Sequence, residues 1–227
     1  MVTYEINSHP NSDMLLKYAM GNTSEAESLI ISCHIAYCSA CKAEIEKYET
    51  IGGFYLTNHK ELNVSKELWS NVLDRVDGLE QEQSQTNYTS YSIKTNLNSE
   101  NIKIPSTLSD YLDSDFDTND WKSTINNVKY KDIKFQDANI SGKLLEIPAN
   151  KSMPKHGHEG LEATLVLHGG YSDEKGEYNK GDLVVASSDE VHSPVSADTS
   201  GCICLVVYSG SLQFKGLLGS ILNLTNF

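Results

Sequence analysis

Residues 150–169 read NKSMPKHGHEGLEATLVLHG, and the fold turns on them. His156 and His158 are two apart, so on a strand both side chains project to the same face of a sheet. Glu162 opens the apolar run that follows. Farther along, residues 181–196, GDLVVASSDEVHSPVS, bring His192 from another strand. Three imidazoles and a carboxylate form a set open to divalent transition metals. His168 and Glu159 lie close by but off this spacing, and both are read as non-ligands.

Outward from this stretch the texture is β. Beyond Pro105 come short alternating or apolar runs at 143–147, 163–167, 183–186 and 203–208, separated by glycine and polar turns. Strands without long intervening helices predict a sandwich or barrel. Upstream the pattern is helical. Ser12 or Asp13 is placed to cap a short helix that Gly21 stops, and Ser24 followed by Glu27 has the spacing of a capping box. A helix ending near Tyr37, a third closed by Gly52 and Gly53, and a fourth over 66–79 complete this half. Leu68, Trp69, Val72, Leu73, Val76 and Leu79 recur in the fourth at three- and four-residue spacing, an amphipathic pattern. Residues 80–101 show few large apolar residues and no sustained period, which predicts a flexible linker. The expected organisation is a first unit over 1–83, a linker over 84–103 and a second unit over 104–227, each unit with its own core.

A second constellation lies in the helical half, in the sequence CHIAYCSAC that starts at Cys33. His34 and Cys38 are four apart and Cys38 and Cys41 three apart, so a helix or helix-turn gathers all three on one side. Zinc takes thiolate and imidazole ligands in a closed tetrahedron, and this segment supplies three of the four. His9, before the short first helix, is best placed to be the fourth, with His59 and Cys33 as competitors. Cys33 points about 100° around the helix from His34, which makes a buried small hydrophobe its default role. Cys202 and Cys204 lie in the apolar run CICLVV and read as structural.

Composition bounds the function. The chain has 227 residues, with 31 acidic against 18 basic and a formal net charge of −13. That balance opposes a phosphate-neutralising surface and argues against direct nucleic-acid binding. The opening residues lack the basic start and apolar core of a signal peptide, and no run approaches the roughly 18 apolar residues of a membrane span. The expectation is a cytoplasmic protein, and its odd number of cysteines suits metal ligands and buried thiols better than disulfides.

The His156, His158, Glu162 and Gly169 spacing resembles the first cupin motif, with Asn150 where its opening glycine belongs. Gly181 and His192 resemble the second, with Ser187, Asp189 and Ser196 replacing its proline, glycine and asparagine. Together with His9, the DMLLKYAMG helix, the segment SEAESLIISCHIAYCSAC, Gly52-Gly53, Pro105, Trp121, the hairpin holding Asp173, Glu174, Gly176, Tyr178 and Gly181, and VHSP, the chain resembles the ChrR family of cupin-containing anti-sigma factors. The resemblance implies an α + β two-domain protein: a small zinc-binding helical bundle followed by a cupin β-barrel, the double-stranded β-helix. It implies N-terminal zinc on His9, His34, Cys38 and Cys41, and a divalent transition metal, with zinc expected, on His156, His158, Glu162 and His192. It further implies an extracytoplasmic-function sigma factor as partner, released under oxidative stress such as singlet oxygen or organic peroxide, and no catalytic role. A metal-dependent cupin dioxygenase with an accessory zinc domain is the alternative, because the same ligand set serves iron oxygenases.

Overall fold

The computed structural model describes residues 5–79, 91–94, 101–112, 121–124, 127–188 and 190–214. Helices α1 (Ser12–Ala19), α2 (Glu25–Ile35), α3 (Ser39–Thr57) and α4 (Lys66–Asp77) come first. Strands β1 (Tyr91–Lys94) and β2 (Asn101–Ile104) precede the short helix α5 (Ser106–Ser109). There follow β3 (Lys122–Ser123), β4 (Lys129–Ile133), β5 (Ile140–Ile147), β6 (His156–His158), β7 (Glu162–Ser172), β8 (Glu177–Asn179) and β9 (Leu183–Ala186). The last are β10 (Val191–His192), β11 (Val195–Ser196), β12 (Cys202–Ser209) and β13 (Leu212–Phe214).

The capping box forms as its spacing demands. Glu27 N donates to Ser24 Oγ at 3.2 Å, and Ser24 N donates to Glu27 Oε2 at 2.8 Å, which satisfies two otherwise orphaned donors. The cap of α1 is Asn11 rather than Ser12 or Asp13: its Oδ1 accepts from Met14 N at 2.9 Å. Asparagine is an equally good cap, so residue preference alone could not fix the boundary. Helix α3 runs through Gly52 and Gly53 to Thr57 instead of ending at them. Glycine costs about 1 kcal/mol in a helix interior but removes no hydrogen bond, so it weakens the helix without stopping it. Cys38 caps α3 with sulfur, its Sγ accepting from Cys41 N at 3.4 Å.

Among the described residues the strands form a β1-β2 ladder, a three-stranded sheet β10-β6-β13, and a large sheet ordered β11-β7-β12-β5-β4-β3, with β8 and β9 also pairing with β7. The apolar runs expected at 143–147, 163–167, 183–186 and 203–208 fall in β5, β7, β9 and β12. Most of the segment read as linker lies outside the described residues. The part that is described holds β1 and β2, paired antiparallel, and Ile102 and Ile104 are buried.

The large sheet is covered on both faces. Ile203, Leu205 and Val207 of β12 pack with Leu144, Leu165 and Leu167 into a cluster that also takes in Leu15, Ile30, Ile31 and Ile45 of the helices. The alternate residues Cys202, Cys204, Val206 and Tyr208 pack on the other face with Leu145, Ile147, Met153 and Tyr171. Helices and sheet therefore share one core, a contact the linker reading did not anticipate. Helix α4 stands apart from it, with no buried residue.

Candidate metal centres

The N-terminal centre is assembled from three pieces. His34 projects from the last turn of α2, Cys38 caps α3 and Cys41 lies in its first turn, while His9 arrives on the extended segment before α1. The four ligand atoms lie within 4.8 Å of one another. Cys41 Sγ is 3.3 Å from His34 Nε2 and 3.4 Å from His9 Nδ1, and Cys38 Sγ is 3.5 Å from His9 Nδ1. Zinc with Zn–S near 2.3 Å and Zn–N near 2.0 Å sets a sulfur–nitrogen tetrahedral edge of about 3.5 Å, so the spacing fits such an ion.

Electrostatics favours the same conclusion. Burial pushes the Cys41 thiol up to about 12, with the neighbouring Cys38 adding to the shift, so without a cation the site holds a neutral thiol. Burial also lowers His34 to about 4, keeping its imidazole neutral, as a ligand must be. His34 Nδ1 donates to the Gly181 carbonyl at 2.9 Å, which fixes the tautomer and leaves the Nε2 lone pair facing Cys41. The competitors lie elsewhere. Cys33 Sγ is 3.4 Å from Thr107 Oγ1, burial pushes its thiol up to about 11, and His59 is exposed outside the cluster.

The second centre sits on β6, β7 and β10. Antiparallel pairing places His192 opposite His156, and the two-residue period puts His158 beside them. His192 Nε2 lies 3.2 Å from His156 Nε2 and 3.4 Å from His158 Nε2. Glu162 Oε2 is 2.8 Å from His158 Nε2, and Glu162 Oε1 is 3.9 Å from His192 Nε2. His156 Nδ1 donates to Pro154 O at 2.8 Å, directing its Nε2 inward. Burial by itself would raise Glu162, yet the hydrogen bond from His158 and the three imidazoles hold it below the usual carboxylate range. A buried carboxylate facing three imidazoles is a ready cation cage. One side of the cage opens onto a cavity whose apolar lining includes Leu145, Ile147, Met153, Val206 and Tyr208.

The departures from the cupin motifs have structural accounts. Asn150 holds φ 57°, the left-handed conformation for which glycine is usual and which asparagine tolerates. Buried Ser196 accepts from Lys151 N at 3.0 Å and donates to Pro148 O at 2.5 Å, pinning the loop before β6. Ser187 Oγ donates to Glu190 Oε1 at 3.2 Å, and Asp189 lies outside the described residues. His168 and Glu159 stand outside the cluster; Glu159 instead accepts from Ser211 N and Gln213 Nε2. Two functional candidates escaped the sequence reading. Asp173 places Oδ2 3.5 Å from His192 Nδ1, where it orients that ring, and its only signal was its place in the hairpin. The Gly181 carbonyl behind His34 gave none.

Comparison with known proteins bears on the chain as a whole. The family model described as the ChrR Cupin-like domain matches residues 113–212. The anti-sigma-E factor ChrR of Cereibacter sphaeroides is 28% identical over 213 residues, covering 94% of each chain. The chain resembles ChrR along nearly its whole length. The crystal structure of Rhodobacter sphaeroides SigE in complex with the anti-sigma ChrR matches with a TM-score of 0.71 at 25% identity, covering 90% of this chain and 100% of that one. An acetylacetone dioxygenase from Acinetobacter johnsonii matches over 45% of this chain at 14% identity and TM-score 0.41, too distant to bear on function. The ChrR-like architecture thus takes in both the helical region and the cupin-like β domain, and no helix among the described residues is long and apolar enough to cross a membrane.

Proposed function

We propose that this ChrR-like chain is a cytoplasmic anti-sigma factor that binds and inhibits an extracytoplasmic-function sigma factor. The observation that carries the reading is α4. Leu68, Trp69, Val72, Leu73, Val76 and Leu79 are 42–64% exposed, so a helix with a coherent apolar face lacks a cover among the described residues. Such a face suits a partner helix or groove. The relative solved in complex with SigE supplies the partner class. A net charge of −13 complements the basic surfaces with which sigma factors meet polymerase and DNA.

In this reading residues 1–83 form the inhibitory unit, 84–103 the linker and 104–227 the sensor. His9, His34, Cys38 and Cys41 hold structural zinc, which fixes the entry of α3 against α2. His156, His158, Glu162 and His192 hold a divalent metal, zinc by preference, beside the apolar cavity. The first site is closed by four protein ligands, whereas the second faces a cavity that can admit a small oxidant. Singlet oxygen or an organic hydroperoxide fits that opening as the signal for release. Co-purification of the full chain with a candidate sigma factor, followed by in vitro transcription, tests the proposal. A stable complex that silences transcription is expected; a chain that neither binds nor inhibits sinks it.

The apolar cavity beside a His₃Glu set also favours a second reading, a cupin dioxygenase-like enzyme with an accessory zinc domain. Substrate-dependent oxygen uptake by the iron-loaded chain, without sigma binding, would select it.

A further inference from the structure

The β8–β9 turn of the cupin reaches into the N-terminal centre. Asp182 is fully buried, and its carboxylate has three backbone donors: Oδ1 accepts from Asn7 N at 2.7 Å and Ser8 N at 2.8 Å, and Oδ2 accepts from Asn179 N at 2.7 Å. Leu183 N donates to Ser8 O at 3.0 Å, so the chain entering His9 is held by three bonds from one turn. The residue before Asp182 offers its carbonyl to His34 Nδ1. Both histidines of the N-terminal set are therefore placed by the same few cupin residues.

The turn is itself fixed from behind. Gly181 N donates to Val166 O at 2.9 Å, and Val166 N donates to Asp182 O at 3.0 Å. Val166 lies on β7, the strand that Glu162 of the cupin cluster opens. Gly181 holds φ +96°, and a Cβ there would come within 2.8 Å of Ile6 Cδ1 and 3.3 Å of Tyr37 Cβ, so the close docking needs glycine on two counts.

We infer that the cupin turn 179–183 is the outer shell of the N-terminal metal centre, with Asp182 as its positioning residue. Charge-assisted bonds to a buried carboxylate are strong and directional, and outer-shell partners of a ligating histidine fix its ring and tautomer. The inference rests on the reading that His9, His34, Cys38 and Cys41 hold a metal. It adds that the metal's affinity is set partly by a domain that contributes no ligand to it, along a frame that includes the strand carrying Glu162.

The test loads the full chain with cobalt(II) and follows the charge-transfer absorption of the cobalt–thiolate bond, a band the His-and-Glu set cannot give. Asp182→Ala is expected to weaken cobalt at the thiolate site by about 10- to 100-fold in competition with a chelator, while metal at the cupin cluster is retained. Asp182→Asn, which keeps one carbonyl acceptor, recovers part of the loss. Parent-like affinity in Asp182→Ala overturns the inference. If Asp182→Ala does not fold, Ser8→Pro decides, because it removes one donor from the N-terminal side and leaves the cupin sequence intact: weakened thiolate-site binding supports the inference and unchanged binding overturns it. Changing Cys38 and Cys41 together to serine separates the two levels. A band that survives that double change refutes the ligand set itself, not merely the turn behind it.

Discussion

Replacing Trp69 by alanine separates a docking helix from a core helix. Trp69 is 61% exposed and α4 has no buried residue, so the chain's own packing loses little. Alanine is also the better helix former, and exposed substitutions of this kind change stability by no more than about 0.5 kcal/mol. For a chain of this size that is a melting shift of about 2 °C. In the proposed complex Trp69 is the largest side chain of the apolar face, with Leu68, Val72 and Leu73 as its neighbours along the helix. A buried interface tryptophan typically costs about 2–4 kcal/mol when truncated, which is roughly 30- to 700-fold in Kd. The assay pairs a thermal melt of the free full-length protein with calorimetric titration of the sigma factor. An unchanged Kd would refute the docking surface. A melting temperature lower by more than about 5 °C would show that Trp69 packs within its own chain.

The other expectations follow from the two centres and the shared core. Cys38→Ser and Cys41→Ser each lose the N-terminal metal and sigma inhibition together, whereas Cys33→Ser, whose thiol faces Thr107, keeps both; metal content and transcription assays report this. His158→Ala removes the cupin metal and the response to singlet oxygen or organic hydroperoxide in a reporter strain, with sigma binding in the dark unaffected. Ile30→Ala, in α2, costs about 2–5 kcal/mol and lowers the unfolding of helices and sheet as one transition, since both belong to one cluster; two separate transitions would contradict the shared core. For the metal-free chain, His34 titrates at about 4 when folded, below its ordinary 6.5. Between those values the unfolded state binds the extra proton, so stability falls as pH drops through this window, and urea titrations at several pH values check the sign.

Local chemistry was legible where its partners are near in sequence. The Ser24–Glu27 box, the His34–Cys38–Cys41 spacing and the His156–His158 pair each need only the geometry of one helix, one turn or one strand, and the structure brings these groups together. Positions with several equivalent solutions were not fixed, which is why the α1 cap fell on Asn11 and why α3 passed through two glycines that weaken a helix without breaking it. The reach of β1 and β2 escaped for a different reason: YSIK and NIKI do alternate, but each is only four residues long within a polar segment, too short a run to stand out from it.

The shared core did leave a trace in the sequence. An antiparallel sheet with one wet face alternates apolar and polar residues, but CICLVV in β12 and LVL in β7 are apolar without a break. A continuous run of that kind means both faces are covered, one by the cavity side of the barrel and the other by something outside it. The helices supply that cover. Once they rest on the sheet, the turn after β8 meets the segment before α1, and Asp182 finds donors at Asn7 and Ser8, 175 and 174 residues away. No spacing rule spans such a distance, so the sequence alone does not single out Asp182. The link it makes follows from burying the outer face of the sheet, and it ties β7, the strand that Glu162 opens, to the two histidines of the other centre.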